Sequence, residues 1–178
     1  MKKQIFVPVL IILVVAGMLL GMSLGLNKIA AANAQKEHLQ MMQTILPGST
    51  EFTVEPYTGD DANIRSVHKG ETGFVVETVT YGYAGDITML IGVTKEGNVT
   101  GLVVREMSDT WGLGGNALHD HVFLAQYLNT SGEAEVGSTV DAISGATVTS
   151  KAITRSVNSA VAYVTGADTG SGATSWGG

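Results

Sequence analysis

Between Asp141 and Ser150 the chain reads Asp-Ala-Ile-Ser-Gly-Ala-Thr-Val-Thr-Ser. Asp141, Ser144 and Gly145 are turn formers, and Thr147, Thr149 and Ser150 are hydroxyl residues suited to a helix cap. Ile153, Val157, Val161 and Val164 follow at spacings of four, four and three, the period of an amphipathic helix. A turn that feeds a helix start offers unpaired N–H groups and a partial positive charge, which makes a seat for phosphate. Gly145 and Ala146 put almost no side chain between such a phosphate and the backbone. A hydroxyl in that place either holds a phosphate by hydrogen bond or is esterified by it. A capped helix without a ligand is the plain alternative, since hydroxyl caps are common.

The same letters recur as Ser171-Gly172-Ala173-Thr174, with Asp168 standing before Ser171 as Asp141 stands before Ser144. Thr147 opens an amphipathic pattern and Thr174 opens none, so the seat is expected at Thr147. Gly112-Leu113-Gly114 permits a backbone turn that approaches a flat ring closely. Leu113 and Trp111 offer apolar and aromatic surface to such a ring, although Trp111 serves equally as a half-buried surface aromatic. His119-Asp120-His121 looks at first like a metal cluster. On the helix predicted over Asn116–Leu128, however, side chains two apart point in different directions and chelate poorly. A solvated helix face is expected there, and no metal site. The chain has no Cys, which excludes disulfides, a Cys-ligated iron–sulfur cluster, a lipid anchor on Cys and a thiol nucleophile.

Ser144-Gly145-Ala146-Thr147, preceded by Asp141, resembles the flavinylation motif of the FMN-binding domain family. That family includes the G component of the Rnf electron-transport complex and the C component of the sodium-pumping NADH:quinone reductase. The resemblance implies that Thr147, the last residue of the motif, carries FMN through a phosphoester bond. It implies also that Ser144, Gly145, Ala146, Val148 and Thr149 form the seat around it. Upstream, Tyr81-Gly82-Tyr83-Ala84-Gly85-Asp86 leading into Ile87–Val93 is similar to the family's Gly-Tyr-x-Gly segment, with Ala84 and Asp86 where the family usually has Gly and Pro. Met107–Gly114 is similar to its Glu-Thr-Pro-Gly-Leu-Gly loop, with Asp109 for the Glu and Trp111 for the Pro. The family keeps this loop near the flavin, so the resemblance implies that Thr110, Trp111, Gly112 and Leu113 lie beside the ring. Three motifs in order over Tyr81–Val164 are far more specific than any one of them.

The elements that must position these residues are legible in outline. Phe52–Val54, Ser66–Lys69, Gly73–Val79, Ile87–Val93 and Val99–Arg105 read as strands. The last two form a hairpin about Lys95-Glu96-Gly97-Asn98, with a bulge expected near Gly101. Phe74, Val76 and Val79 do not alternate cleanly, which leaves the register of that strand open. Leu118, Val122, Ala125 and Leu128 are expected to form the apolar face of the helix over Asn116–Leu128. From Asn27 to Leu46 the chain is Ala-, Gln- and Met-rich and reads as a helix, with Leu39, Met42 and Leu46 as its stripe and Pro47-Gly48 as its stop.

Ahead of that helix, Ile5–Leu26 is twenty-two residues without a charge. As a helix it spans about 33 Å, enough to cross a bilayer. A cleaved signal peptide is the competitor, with Lys2 and Lys3 before the run and Ala32-Asn33-Ala34 as its cleavage site, but the run is too long for a usual signal core. Gly17, Gly21 and Gly25 share one face of the anchor and let a partner helix approach.

The expected organisation is a transmembrane anchor over 1–27, a helical connector over 28–47, an FMN-binding domain over 48–165 and a Gly/Ser-rich tail over 166–178. The fold class is α+β, a mixed α/β domain with an antiparallel sheet behind an N-terminal transmembrane helix. A net charge of −6 without a basic stripe argues against nucleic acid. The resemblance implies an electron-transfer subunit with covalent FMN, held on the extracytoplasmic side of the inner membrane by a single pass. Its partners would be the other subunits of an Rnf-type ferredoxin:NAD+ complex, the lipid bilayer and a flavin transferase that uses FAD. The alternatives are the equivalent subunit of a sodium-pumping NADH:quinone reductase, and an anchored binding module with no redox work.

Overall fold

Ile87, Met89, Ile91 and Val93 alternate with Thr88, Leu90 and Gly92, so a strand through them presents apolar or small groups on both faces. A computed structural model describes residues 17, 18, 30, 32–107, 120–132 and 134–167. In it that strand is buried on both faces and lies inside a five-stranded sheet. The strands are β1 (Thr53–Glu55), β2 (Ile64–Lys69), β3 (Gly73–Tyr81), β4 (Asp86–Thr94) and β5 (Val99–Met107), in spatial order β1-β2-β3-β4-β5 and antiparallel throughout. This is a meander of consecutive hairpins. The expected antiparallel sheet is present; β1 is displaced by one residue and each of the other strands is two residues longer than its sequence pattern.

Two compact units divide the chain, Met1–Gln40 and Met41–Gly178. In the first, the described residues are helical. The apolar run Ile5–Leu26 lies outside the described residues except for Gly17 and Met18. Among the described residues, no helix is long and apolar enough to cross a membrane.

In the second unit, helical residues 41–45 (α1) end at Leu46 and Pro47. Met42, Ile45 and Leu46 pack with Val75 and Leu90 on one face of the sheet. Gly92 and Gly101 face each other across β4 and β5. A Cβ on Gly101 would stand 2.8 Å from the Ile45 Cα, so the glycine pair forms a notch that admits the helix end. Thr100 is the extra residue of a bulge between Val99 and Gly101, beside the expected position, and its hydroxyl donates to the Ile45 carbonyl.

The other face is covered by α3 (Thr147–Thr165) and by α2 (His121–Ala125) with the turns that follow it. Ile153, Val157 and Val161 are buried as their spacing predicts, against Val67, Val76, Ile87, Met89, Ile91 and Val93. Burying each such side chain is worth about 1.5–3 kcal/mol. The helix expected over Asn116–Leu128 needs correction. Residues 116–119 lie outside the described residues, the helix proper is His121–Ala125, and turns carry the chain to Asn129. Val122 is 81% exposed and Leu128 42% exposed, while Phe123 and Tyr127 point into the core. These two aromatics bury more area than Val122 and Leu128, and they meet edge to face at 5.5 Å.

Candidate functional site

The site starts from the register of the sheet. Tyr81 pairs with Asp86, and Gly82 donates to Gly85 O at 2.8 Å to close the β3–β4 turn. Ile87 pairs with Met107, so β5 ends at the same edge of the sheet as that turn. The start of α3 is tied there too. Thr80 at the end of β3 donates to Ala152 O (3.1 Å) and shares a hydrogen bond with Ser156 (2.9 Å). The fold therefore brings the Tyr81–Asp86 segment, the end of β5 and the Asp141–Ser150 segment to one end of the sheet. The loop carrying Thr110, Trp111, Gly112 and Leu113 lies outside the described residues, as does His119. It leaves from Met107 and returns at Asp120.

Asp120, the middle residue of the His-Asp-His run, has a structural task. Its carboxylate accepts from Phe123 N at 2.9 Å and caps α2. His121 is exposed. Among the described residues, no group of acidic, His or Cys side chains is disposed to hold a metal ion.

Helix α3 opens at Thr147, with Ala146 at the N-cap position. Thr147, Thr149 and Ser150 were expected as caps, but all three lie inside the first turn, and no side chain among the described residues caps the helix. The cause is the tight turn ahead of it. Ala146 N–H donates to Ile143 O at 2.9 Å across Ser144 and Gly145, and Gly145 sits at φ +78°, which suits glycine. Alanine is thereby fixed at the boundary. The first-turn N–H groups of Thr147 and Val148 have no intrahelical acceptor. Alanine at the N-cap has no side-chain acceptor to offer them.

The motif residues divide by exposure. Asp141, Ser144, Gly145 and Thr147 are exposed, Val148 is half-buried, and Ala146 and Thr149 are buried. Thr147 is thus the exposed hydroxyl residue at the start of the helix. Lys151 is exposed one helical turn on, at the i+4 position of the same face.

Three side chains hold this segment, two of which, Gln126 and Thr154, the sequence pattern did not single out. Gln126 Oε1 accepts from Asp141 N (2.8 Å). Ser150 Oγ, fully buried, accepts from Ile143 N (3.1 Å) and donates to Ala146 O (3.0 Å). Thr154 Oγ1 donates to Ser150 O (2.9 Å) and lies 2.7 Å from the Tyr127 hydroxyl. Burial pushes the Tyr127 phenol up to about 12. Ser150 was legible as a hydroxyl of the segment, but the direction of its bonds was not.

Residues 82–162 match the family profile of the FMN-binding domain, from the β3–β4 turn to the last turns of α3. A Methanosarcina acetivorans protein, named as the G component of an ion-translocating oxidoreductase complex, is 35% identical over 77% of this chain and 78% of its own. The chain belongs to the G-component family of these complexes. Two further family members are the G components of the Na(+)-translocating ferredoxin:NAD(+) oxidoreductase complex of Acetobacterium woodii and of the proton-translocating complex of Clostridium ljungdahlii. They are 35% and 36% identical, over 50% and 52% of this chain, and the match spans 47% and 53% of their own lengths. The family relation inferred from Ser144–Thr147 and the two upstream motifs is thus borne out.

Proposed function

We propose that the protein is the membrane-anchored electron-transfer subunit of an ion-translocating ferredoxin:NAD+ oxidoreductase of the Rnf type, with FMN attached to Thr147 through a phosphoester. The carrying observation is an exposed threonine that opens a helix with alanine at its N-cap, inside an FMN-binding domain. These residues fit the group. The first-turn N–H groups, the small Gly145 and Ala146, and Lys151 on the same face suit a phosphodiester anion. Thr110, Trp111, Gly112 and Leu113 remain the proposed ring contacts. When bound, FMN supplies one- and two-electron transfer, and the protein supplies attachment, orientation and electrostatics. A covalent link retains the flavin outside the cytoplasm, where a free one would diffuse away. Attachment requires a flavin transferase. The run Ile5–Leu26 anchors the chain in the inner membrane beside the other subunits, with the flavin domain on the extracytoplasmic side. The names of the relatives favour the ferredoxin:NAD+ complex over the quinone-reductase alternative, and the FMN-binding profile argues against a non-redox module.

The test is mass spectrometry of the protein co-expressed with a flavin transferase. One flavin is expected on the peptide containing Thr147, and none on that peptide in Thr147→Ala. Intact mass reads the N-terminus at once, and a start just after Ala34 would remove the anchor. Flavin retained at full occupancy in Thr147→Ala overturns the attachment point. The fold should survive that change, since Thr147 is exposed and makes no cap.

A further inference from the structure

We propose that Gln126 and Ser150 are positioning residues for flavin attachment, a reading that rests on Thr147 as the acceptor. Both act on backbone alone. Gln126, at the end of α2, takes the N–H of Asp141 at 2.8 Å. Ser150, within the first turn of α3, takes the N–H of Ile143 at 3.1 Å and returns its own proton to Ala146 O at 3.0 Å. Between these two anchors the Ile143–Ala146 turn is closed by its own 2.9 Å hydrogen bond. The segment is thus pinned at its entry and at its exit by groups outside the Ser-Gly-Ala-Thr letters. The pins leave Asp141, Ser144 and Thr147 facing outward. A modifying enzyme therefore meets a preformed turn on a folded domain.

Attachment forms a bond from Thr147 Oγ1 to the FMN-side phosphorus of a flavin dinucleotide and breaks the phosphoanhydride. AMP leaves with the bonding pair, and the hydroxyl proton passes to a base of the transferring enzyme; nothing is oxidised or reduced. Displacement at phosphorus is sensitive to placement, and a shift of about 1 Å in the attacking oxygen costs on the order of 100-fold in rate. A turn held at both ends keeps the oxygen in place, and a turn held at one end does not.

The chain carries its own comparison. Asp168-Thr169-Gly170-Ser171-Gly172-Ala173-Thr174 repeats the Asp-x-x-Ser-Gly-Ala-Thr letters of Asp141–Thr147. Ser150 stands three residues after Thr147, whereas Gly177 stands three residues after Thr174. The second copy has the acceptor letters without the serine pin. Letters alone would make Thr147 and Thr174 equal acceptors, and the pins make Thr147 the faster one.

The experiment uses the purified full chain produced without flavin, incubated with a flavin transferase and saturating FAD. Attachment at each threonine is followed in time by peptide mass spectrometry. Wild type is expected to load Thr147 well ahead of Thr174. Gln126→Ala and Ser150→Ala should load Thr147 about 10-fold or more slowly at saturating FAD. Gln126→Glu, which keeps an acceptor oxygen at the same reach, should restore most of the rate. Gln126 lies near the surface, so Gln126→Ala is expected to keep the wild-type circular dichroism and carries the test if Ser150→Ala does not fold. Wild-type rates in both alanine variants, equal loss in Gln126→Glu and Gln126→Ala, or equal rates at Thr147 and Thr174 would each overturn the proposal while leaving Thr147 as acceptor. Wild type with no flavin on Thr147 would instead remove the reading on which it rests.

Discussion

Replacing Thr154 with Val strands a buried phenol. Tyr127 is fully buried, and its hydroxyl lies 2.7 Å from Thr154 Oγ1. The Thr154 proton is already given to Ser150 O at 2.9 Å, so the phenol is the donor in the pair. Valine has nearly the shape of threonine and opens no cavity. What goes is the acceptor, and a desolvated O–H without a partner costs about 1–3 kcal/mol. Ser150 O loses little, because it keeps the helical bond from the Thr154 N–H. Tyr127→Phe removes the donor instead and leaves Thr154 bonded to Ser150 O, which costs about 0.5–1.5 kcal/mol. In the double variant no phenol remains to be stranded. Its cost should therefore approach that of Tyr127→Phe alone, so the coupling between the sites equals the cost of Thr154→Val, about 1–3 kcal/mol. For a domain of this size each kcal/mol moves the melting temperature by about 3–5 °C. Thermal and urea unfolding of the four proteins, followed by far-ultraviolet circular dichroism, reads the cycle. If Thr154→Val melts no lower than Tyr127→Phe, or if the single costs simply add, the two hydroxyls do not work as a donor and acceptor pair and the reasoning fails.

The same phenol gives a pH dependence. Its folded pKa is raised from 10.0 to about 12, so the folded chain keeps a proton that the unfolded chain has lost. Stability from this group is intact below about pH 10 and falls as pH rises through 12, by about 3 kcal/mol in all; Tyr127→Phe should flatten that alkaline limb, and an unchanged limb in urea unfolding would refute the assignment. Gly101→Ala should cost about 1–3 kcal/mol by overpacking, because the new Cβ would stand 2.8 Å from the Ile45 Cα. An unchanged urea midpoint would show that α1 does not need the notch.

Much of this arrangement was legible in the chain, and the rest was hidden for identifiable reasons. The β4–β5 hairpin announced itself through two apolar runs about a Gly-Asn turn, and α3 through Ile153, Val157 and Val161. β3 was obscured because Thr78 and Thr80 occupy core-facing positions that a hydrophobicity pattern reads as solvent-facing. α2 was misread because its stretch carries two apolar faces. Val122 and Leu128 make one, Phe123 and Tyr127 the other, and only the packing against α3 chooses between them. Gly92 and Gly101 read as breakers in isolation, and their meaning depends on being paired across two strands beneath Ile45. The Asp141–Thr147 segment was visible as letters. That its N-cap is alanine, and that Gln126 reaches it across 15 residues of sequence, follows from tertiary contact alone.

Helix α3 shows why the site needs more than those letters. Ser150, Thr154, Ser156 and Ser159 are buried on a helix that covers a sheet, where Leu or Ile would form the helix as readily and bury more apolar area. Buried hydroxyls add a cost of their own unless each finds a partner. Here they do. Ser150 holds the turn, Thr154 holds Tyr127, Ser156 meets Thr80 at 2.9 Å, and Ser159 takes a hydrogen bond from Asn63 at 3.1 Å. Apolar contacts are non-directional and resist a slide or turn of the helix only through the fit of their shapes. Hydrogen bonds between named atoms near 3 Å do not allow either. Thr147 is the first residue of this helix, so any slide or rotation of α3 moves its hydroxyl oxygen relative to the β3–β4 turn and the end of β5. The hydroxyls along α3 therefore fix both its depth and its rotation, and through them the position of Thr147.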